Sequence, residues 1–289
     1  MSRELDACTL IERSINKKYR KELWTPFLTA IRRYHLLEAG DRVAVCISGG
    51  KDSMLMAKLF QELHRHSDIP FGLTFLCMDP GYNDANRAQI ERNAALMNIP
   101  LTIFETDVFE VADTQAGGSP CYLCARMRRG CLYKKAQELG CNKIALGHHF
   151  NDVIETTVMG MFYGAQLQAM APMLHSKNFP GMTLIRPLYC IHEEDIIAWC
   201  RYNSLSFIRC ACRFTEKRDA AEDGIGESKR QEIKQLLKEL KKTNPDVEKS
   251  IFSALHSVCL DTFPGYKTEG EAHSFLERFE RLGHDGVEN

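Results

Sequence analysis

The run Ser48-Gly49-Gly50-Lys51-Asp52-Ser53 gathers, in six positions, groups that bind phosphate chains. Ser48 and Ser53 carry hydroxyl donors, Lys51 carries positive charge, and Asp52 can hold a magnesium ion that bridges phosphates. Gly49 and Gly50 have no side chain, so a phosphate can come up against the backbone. Two cysteine clusters follow. Cys121-Tyr122-Leu123-Cys124 leads into Arg126, Arg128, Arg129, Lys134 and Lys135, and Arg209-Cys210-Ala211-Cys212-Arg213 lies later. Cysteines three apart put both sulfurs on one helical face or in one turn. That suits zinc, an iron–sulfur cluster or a redox dithiol, and one such pair does not choose among them. Between the clusters stands Gly147-His148-His149-Phe150-Asn151-Asp152, with Glu155 three residues on. Asn151 reads as a helix N-cap. Asp152 and Glu155 then fall in the first turn, where carboxylates help position magnesium, and Gly147 and His148 read as lining of a nucleotide pocket.

These groups need a scaffold. Val43 to Ile47 is an unbroken apolar run that reads as a buried parallel strand, and Ser53 to Phe60 has apolar residues at helical spacing. A strand, a glycine turn and a helix N-terminus together make an anion site, because free N–H groups and the helix dipole point at the ligand. Further strands are expected at Phe71–Met78, Leu101–Phe104 and Lys143–Leu146, with helices between them and a short strand at Ser206–Ile208. The alternation predicts an α/β fold, a parallel sheet with helices on both faces. Ligands of such sheets sit beyond the C-terminal strand ends, at the switch in strand order. Met78 and Asp79, at the end of the second strand, are therefore expected near the nucleoside. Residues 171–175 and 182–188 read as extended segments around a turn, and Glu193 to Tyr202 as a helix.

The chain has 289 residues, a net charge of −1 and 12 cysteines. No stretch approaches the ~18 apolar residues of a membrane span, and the first 20 residues lack an apolar leader, so the expected location is the cytosol, without membrane association. Disulfides are not expected there, which directs the clustered cysteines towards metal or catalysis and scattered Cys8, Cys46, Cys77, Cys190, Cys200 and Cys259 towards small buried hydrophobes. Basic residues concentrate at 11–33, 126–135 and 229–242. Each reads as a solvated helix face or as a surface for a nucleic-acid backbone. The organisation expected is a helical extension over 1–40, a nucleotide-binding domain over 41–215, and a C-terminal helical region with an acidic tail over 216–289.

The loop resembles the S-G-G-x-D-S pyrophosphate loop of the N-type ATP pyrophosphatases. Taken with C-x-x-C followed by arginines, G-H-H-x-N-D-x-x-E-T and a late I-R-C-x-C, the chain resembles, over roughly residues 20–260, the tRNA 2-thiocytidine synthetases, a branch of the tRNA-thiolating members. The resemblance implies a Rossmann-like fold of the adenine nucleotide alpha hydrolase type. It also implies ATP, Mg2+ and a 4Fe–4S cluster held by three cysteines. Cys121 and Cys124 match the first two ligands. The third belongs to a second C-x-x-C in the family and to C-x-C here, so Cys210 or Cys212 can serve; the isoleucine two positions earlier favours Cys210. Asp152 and Arg128 match positions regarded as catalytic, beside Asp52. Where relatives often have lysine, this chain has Arg128, which cannot give up its proton and so can stabilise an adenylate but not act as a base.

The function so implied is ATP-dependent thiolation at C2 of a cytidine in the anticodon loop of tRNA. A cysteine desulfurase or another sulfur donor is the implied protein partner, and a homodimer is left open. One rival reading is a related enzyme that thiolates another tRNA base or a small acceptor and carries structural zinc. Another is a nucleotide-binding redox sensor without turnover.

Overall fold

The computed structural model describes residues 5–108, 120–208 and 229–285; the side chains of residues 120–126 and 281–285 lie outside this description. Cys210, Cys212 and the expected break at Gly224 and Gly226 lie outside the described residues. The chain divides into two compact units, Met1–Ile233 and Lys234–Asn289.

The first unit is built on a six-stranded sheet whose strands we number β1 (Arg42–Ile47), β2 (Gly72–Asp79), β3 (Leu101–Glu105), β4 (Lys143–Ala145), β5 (Met173–His175) and β6 (Thr183–Ile185). Their order is β3-β2-β1-β4-β6-β5. Every pair is parallel except β5 with β6, which form an antiparallel edge hairpin. The chain leaves β1 in one direction for β2 and β3 and returns on the other side for β4. The switch in strand order therefore lies between β1 and β4, and the loop after each opens onto the same crevice.

Helices clothe the sheet. They are α1 (Ala7–Arg13), α2 (Thr25–Arg33), α3 (Lys51–His66), α4 (Asp84–Leu96), α5 (Pro120–Glu138), α6 (Phe150–Gly164) and α7 (Glu193–Tyr202); α8 (Lys229–Thr243) begins in this unit and continues into the second. Two wide π-helical turns, Ser14–Lys18 and Arg20–Trp24, link α1 to α2. On one sheet face Ala44, Cys46, Leu76, Ile144 and Leu184 form a core with Tyr133 and Ala136 of α5. The intervening residues Val43, Val45 and Ile47 are equally buried and point to the opposite face. The N-terminal helices bury Ile11, Ile15, Leu23, Trp24 and Phe27, and they expose every basic residue of the 11–33 stretch. A fully buried lysine, Lys58 of α3, fastens them: its Nζ donates to Glu12 at 2.8 Å and to the Met97 carbonyl at 2.9 Å.

Several expectations need correction. Ser206 to Ile208 forms no strand, because the Ser206 carbonyl accepts from the side chains of Asn93 and Gln89 of α4 instead of a sheet ladder. Asn151 is not the cap of α6. His149 is, in a reciprocal capping box with Asp152, while Asn151 Oδ1 accepts the Glu193 N–H at 2.9 Å and ties α6 to α7. Cys259 is exposed and Cys8 and Cys190 are half-buried, so only Cys46, Cys77 and Cys200 of the scattered cysteines are fully buried.

In the second unit, α8 is followed by α9 (Val247–Ala254), with Asp246 at its N-cap position. The acidic tail is ordered over much of its length: β7 (Gly265–Thr268) and β8 (Glu271–Ser274) form a hairpin, and α10 (Phe275–Asp285) follows. No described helix is long and apolar enough to cross a membrane.

Candidate nucleotide and thiolation site

The loop after β1 is short, since α3 begins at Lys51 with Gly50 as its N-cap and no side chain capping it. The first N–H groups of α3 are thus left for a ligand. Gly49 has φ +82°, and a Cβ there would come within 2.5 Å of Ile90 Cγ1 and 2.7 Å of Ile208 Cδ1, so glycine is needed both for the backbone and for the space. Ser53 is buried. Its hydroxyl accepts the Ser48 N–H at 3.1 Å and donates to the Gly50 carbonyl at 3.0 Å, holding the loop closed on itself.

Gly147 brings the β4 crossover against this loop, as a Cβ on it would lie 3.2 Å from the Ser53 nitrogen. The crevice between β1 and β4 opens into a cavity of about 470 Å3. Ser48, Asp52, Ser53, Met78, Gly147 and His148 line it, with Arg128 and Arg129 of α5 and Arg186, which follows β6. Arg128 was expected from the sequence; Arg129 was noted only as part of a basic helix. The site is therefore strongly cationic opposite the loop, a charge pattern suited to a nucleotide's phosphates.

Lys51 points to the other side of α3. Its Nζ lies 3.1 Å from the Asp52 carboxylate and 3.0 Å from Glu193, and it lines a second cavity of about 490 Å3 with Gly50, Asp52, Cys200 and Ile208. Burial alone would pull the Lys51 ammonium down, but the two carboxylates outweigh it and hold its pKa above the ordinary value. Asp79 does not line the first cavity. It is buried, and its Oδ1 accepts the N–H groups of Gly81 and Tyr82 while Oδ2 pairs with Arg87 at 3.2 Å, shaping the turn beyond β2.

Asp152 is likewise engaged: its Oδ2 accepts the His149 N–H at 3.0 Å, and its Oδ1 pairs with Arg230 at 2.7 Å. Arg230 also reaches Glu155 and Thr156. Burial would lift the Asp152 carboxyl, yet His149, His148 and Arg230 together keep it below the usual carboxylate range. The sequence placed Arg230 in a basic face for nucleic acid; the fold turns it onto the acidic start of α6. The His149 ring stands 4.0 Å from Asp52 and 3.8 Å from Glu193, so Asp52, Glu193, His149 and Asp152 form one chain of polar groups behind the loop. Glu193 looked like an ordinary acidic first-turn residue, and nothing in its sequence neighbourhood distinguishes it.

Arg186 is the residue that sequence reading passed over. It is 6% exposed within the buried run Met182–Tyr189. A lone arginine in such a run was the available signal, because arginine is almost never fully buried unless paired. One guanidinium nitrogen donates to the Ala171 carbonyl. Burial lowers its pKa to about 10, partly offset by Tyr189 and Tyr133.

His148 is held neutral: burial first, and Arg186 second, lower its pKa to about 4. An unfolded chain takes up this proton near the ordinary value of about 6.5, so the folded protein loses stability as pH falls from there towards 4. The contribution is at most about 3 kcal/mol, at roughly 1.4 kcal/mol per pH unit. Thermal unfolding of His148→Gln should show a flatter dependence across that window than the parent, and an unchanged slope would remove this account.

The cysteines stand less fully described. Cys121 and Cys124 fall in the first turns of α5, one turn apart, but their side chains lie outside the described residues, as Cys210 and Cys212 do entirely. Among the described residues, no three His, Cys, Asp or Glu side chains converge on a metal site.

Residues 14–212 match the family model described as the PP-loop domain. The chain is 36% identical over 246 residues to a tRNA-cytidine(32) 2-sulfurtransferase of Geobacter metallireducens, covering 84% of this chain and 91% of the relative. It is 33% identical over 275 residues to the enzyme of the same description from Neisseria meningitidis serogroup C, covering 94% and 82%. Among solved structures it superposes on a U34-tRNA thiolase from Methanococcus maripaludis, solved with its 4Fe–4S cluster, with TM-score 0.66, 22% identity and coverage of 83% and 80% of the two chains, a likeness of fold.

Proposed function

Because this chain belongs to the PP-loop family that includes the tRNA-cytidine(32) 2-sulfurtransferases, we propose that it adenylates the C2 oxygen of an anticodon-loop cytidine in tRNA and replaces that oxygen with sulfur. The chain is a transferase, a tRNA sulfurtransferase. The observation that carries the finer reading is the wall of the first cavity. Loop residues Ser48 and Asp52 line it together with Arg128 and Arg129, and those arginines ride on the helix that opens with Cys121 and Cys124. Arg128 follows Cys124 by four positions, about 6 Å along the helix axis.

In this mechanism ATP lies with its terminal phosphates on Ser48, Gly49, Gly50, Ser53 and the start of α3, while Lys51 stays paired with Asp52 and Glu193 beside the second cavity. Met78 and Gly147 border the nucleoside, and Asp79 shapes the turn beside it. Asp52, with Asp152, would hold Mg2+. An unstacked cytidine enters the cavity. Its C2 oxygen attacks the α-phosphorus, the bond to the β-phosphate bridging oxygen breaks, and pyrophosphate leaves with the electron pair. Arg128 stabilises the resulting adenylate. Sulfide then adds to C2, and the C2–O bond breaks with its electrons going to AMP. The sulfur enters as hydrosulfide and ends as the C2 thiocarbonyl after losing its proton, staying at the sulfide oxidation level throughout, so this step needs no oxidant or reductant. Three thiolates suit a 4Fe–4S cluster with one open iron, which would supply a site for that sulfide. Cys121, Cys124 and Cys210 would hold it, and the one-turn spacing of the first two at the start of α5 fits such a donor set.

A cysteine desulfurase or similar donor would furnish the sulfur in the cytoplasm, as a persulfide from which a thiol reductant releases sulfide while being oxidised to a disulfide. The direct test is mass spectrometry of tRNA nucleosides after incubation with ATP, a sulfide source and the cluster-loaded chain. 2-Thiocytidine is the expected product; pyrophosphate release without any thiolated nucleoside would overturn the reading.

The exposed basic residues of 11–33 and the α5 stretch would carry the tRNA backbone. Affinity should then fall with salt, at a log–log slope of roughly 0.7 to 0.9 per neutralised phosphate. Arg129→Glu and Lys135→Glu should weaken binding more than Lys238→Glu and Lys242→Glu, because α5 borders the cavity that must receive the base. Fluorescence anisotropy at two salt concentrations measures this, and salt-independent affinity would contradict it.

A further inference from the structure

We propose that Arg186 is the receptor for the α-phosphoryl group of ATP and of the adenylate, through its Nε–H. The assignment rests on the adenylation reading above and says where in the cavity the transferred group sits. Arg186 Nε is buried, without a hydrogen-bond partner among the described residues, and the side chain lines the cavity that holds the loop. His148, on the same wall, has its Nδ1 buried and unpartnered as well. Leaving a buried donor unsatisfied is destabilising, and more so for a charged group. A guanidinium that only clamped the backbone at Ala171 would gain nothing from leaving a second buried donor unsatisfied beside the cavity. The planar fork of arginine matches phosphate oxygens.

Its position selects which phosphate. The loop follows β1, and Arg186 follows β6, two strands away with β4 between them. At about 4.8 Å per strand the two anion sites stand roughly 10 Å apart at their backbones, and the arginine side chain reaches back across part of that gap. Pyrophosphate on the loop therefore places the α-phosphorus towards Arg186, where charge grows as the cytidine oxygen adds. When pyrophosphate leaves, Arg186 keeps hold of the AMP moiety, and the loop is freed.

The test uses the full chain labelled with 15N, AMP and inorganic pyrophosphate as probes, and the Nε–H signal that disappears in Arg186→Lys. AMP should shift that signal and pyrophosphate should leave it in place, while both bind. In Arg186→Gln, AMP affinity should fall at least tenfold and pyrophosphate affinity less than twofold. Pyrophosphate binding would also show that the variant keeps a folded loop. Binding of pyrophosphate with no effect of AMP on the Nε signal would overturn the proposal and leave the adenylation reading standing. A shift caused by an anticodon stem-loop RNA and not by AMP would overturn it too, assigning the site to an RNA phosphate. Failure of both AMP and pyrophosphate to bind the parent chain would overturn the nucleotide reading and this proposal with it.

Discussion

Asp52→Ala is expected to lower ATP-dependent pyrophosphate release in the presence of tRNA by on the order of a hundredfold to a thousandfold, the range seen when one preorganised electrostatic group is removed from a reaction centre. Stability should change little. The side chain is 26% exposed at the start of α3, and an acidic group near a helix N-terminus contributes roughly 0.3–1 kcal/mol. Lys51 keeps a carboxylate partner in the variant, since Glu193 lies 3.0 Å away on its other side. Ser53→Ala separates the two effects. Reading the sequence alone, Ser53 belongs to a solvated ligand turn, and its loss should spare the fold. The structure shows it buried and bonded to both Ser48 and Gly50. That variant should lose activity together with measurable stability, about 1 kcal/mol for each buried hydrogen bond removed. Calorimetric melts and pyrophosphate release on the two purified variants measure the contrast. Parental turnover by Asp52→Ala would remove the phosphate-site assignment.

What the sequence made legible depended on whether the information was local. An apolar run ending in two glycines fixed β1 and the loop, because burial on both faces and a left-handed glycine leave few alternatives. The helix Glu193–Tyr202 has the bounds its periodicity predicts. The strand expected at Ser206–Ile208 failed because α4 side chains, more than a hundred residues earlier, claim its carbonyl. Asn151 has better N-cap chemistry than histidine, but it is used to join α6 to α7, a contact invisible in either helix alone. The candidate site shows the same division. Ser48, Asp52, Gly147 and His148 come together through two strand–turn–helix patterns, each readable locally. Arg186 joins them only because β6 lies beside β4, and Arg230 only because the chain returns to α6 after the second cysteine cluster. The apolar run around Arg186 marks it as unusual, but nothing in the neighbouring sequence shows which strand loop it joins, and Arg230 has no such mark.

Cluster loss gives the sharpest outcome among the cysteines. Cys121→Ala, Cys124→Ala and Cys210→Ala should each abolish iron binding and thiolation, since a cubane left with two protein thiolates has too few ligands to persist. Cys131→Ala and Cys141→Ala should keep the iron. Cys141 is buried in the sheet core against Tyr133 and Ile144, and its burial raises its thiol pKa, so at neutral pH it is a thiol inside a hydrophobic cluster and not a thiolate ligand. Replacing it removes one buried sulfur, for a cost of about 1 kcal/mol of stability. Cys131 is half-buried, packs against Val108 and lies seven residues beyond Cys124, on the same helical face but two turns, about 10 Å, further along the axis. Cys212→Ala should also keep the iron, because the resemblance to the thiocytidine synthetases, with isoleucine two positions before Cys210, favours Cys210 as the ligand. Anaerobic iron and sulfide analysis of the reconstituted variants decides it: iron lost from Cys212→Ala and retained by Cys210→Ala would move the third ligand two residues on, and iron retained by Cys121→Ala and Cys124→Ala would remove the cluster from α5 altogether.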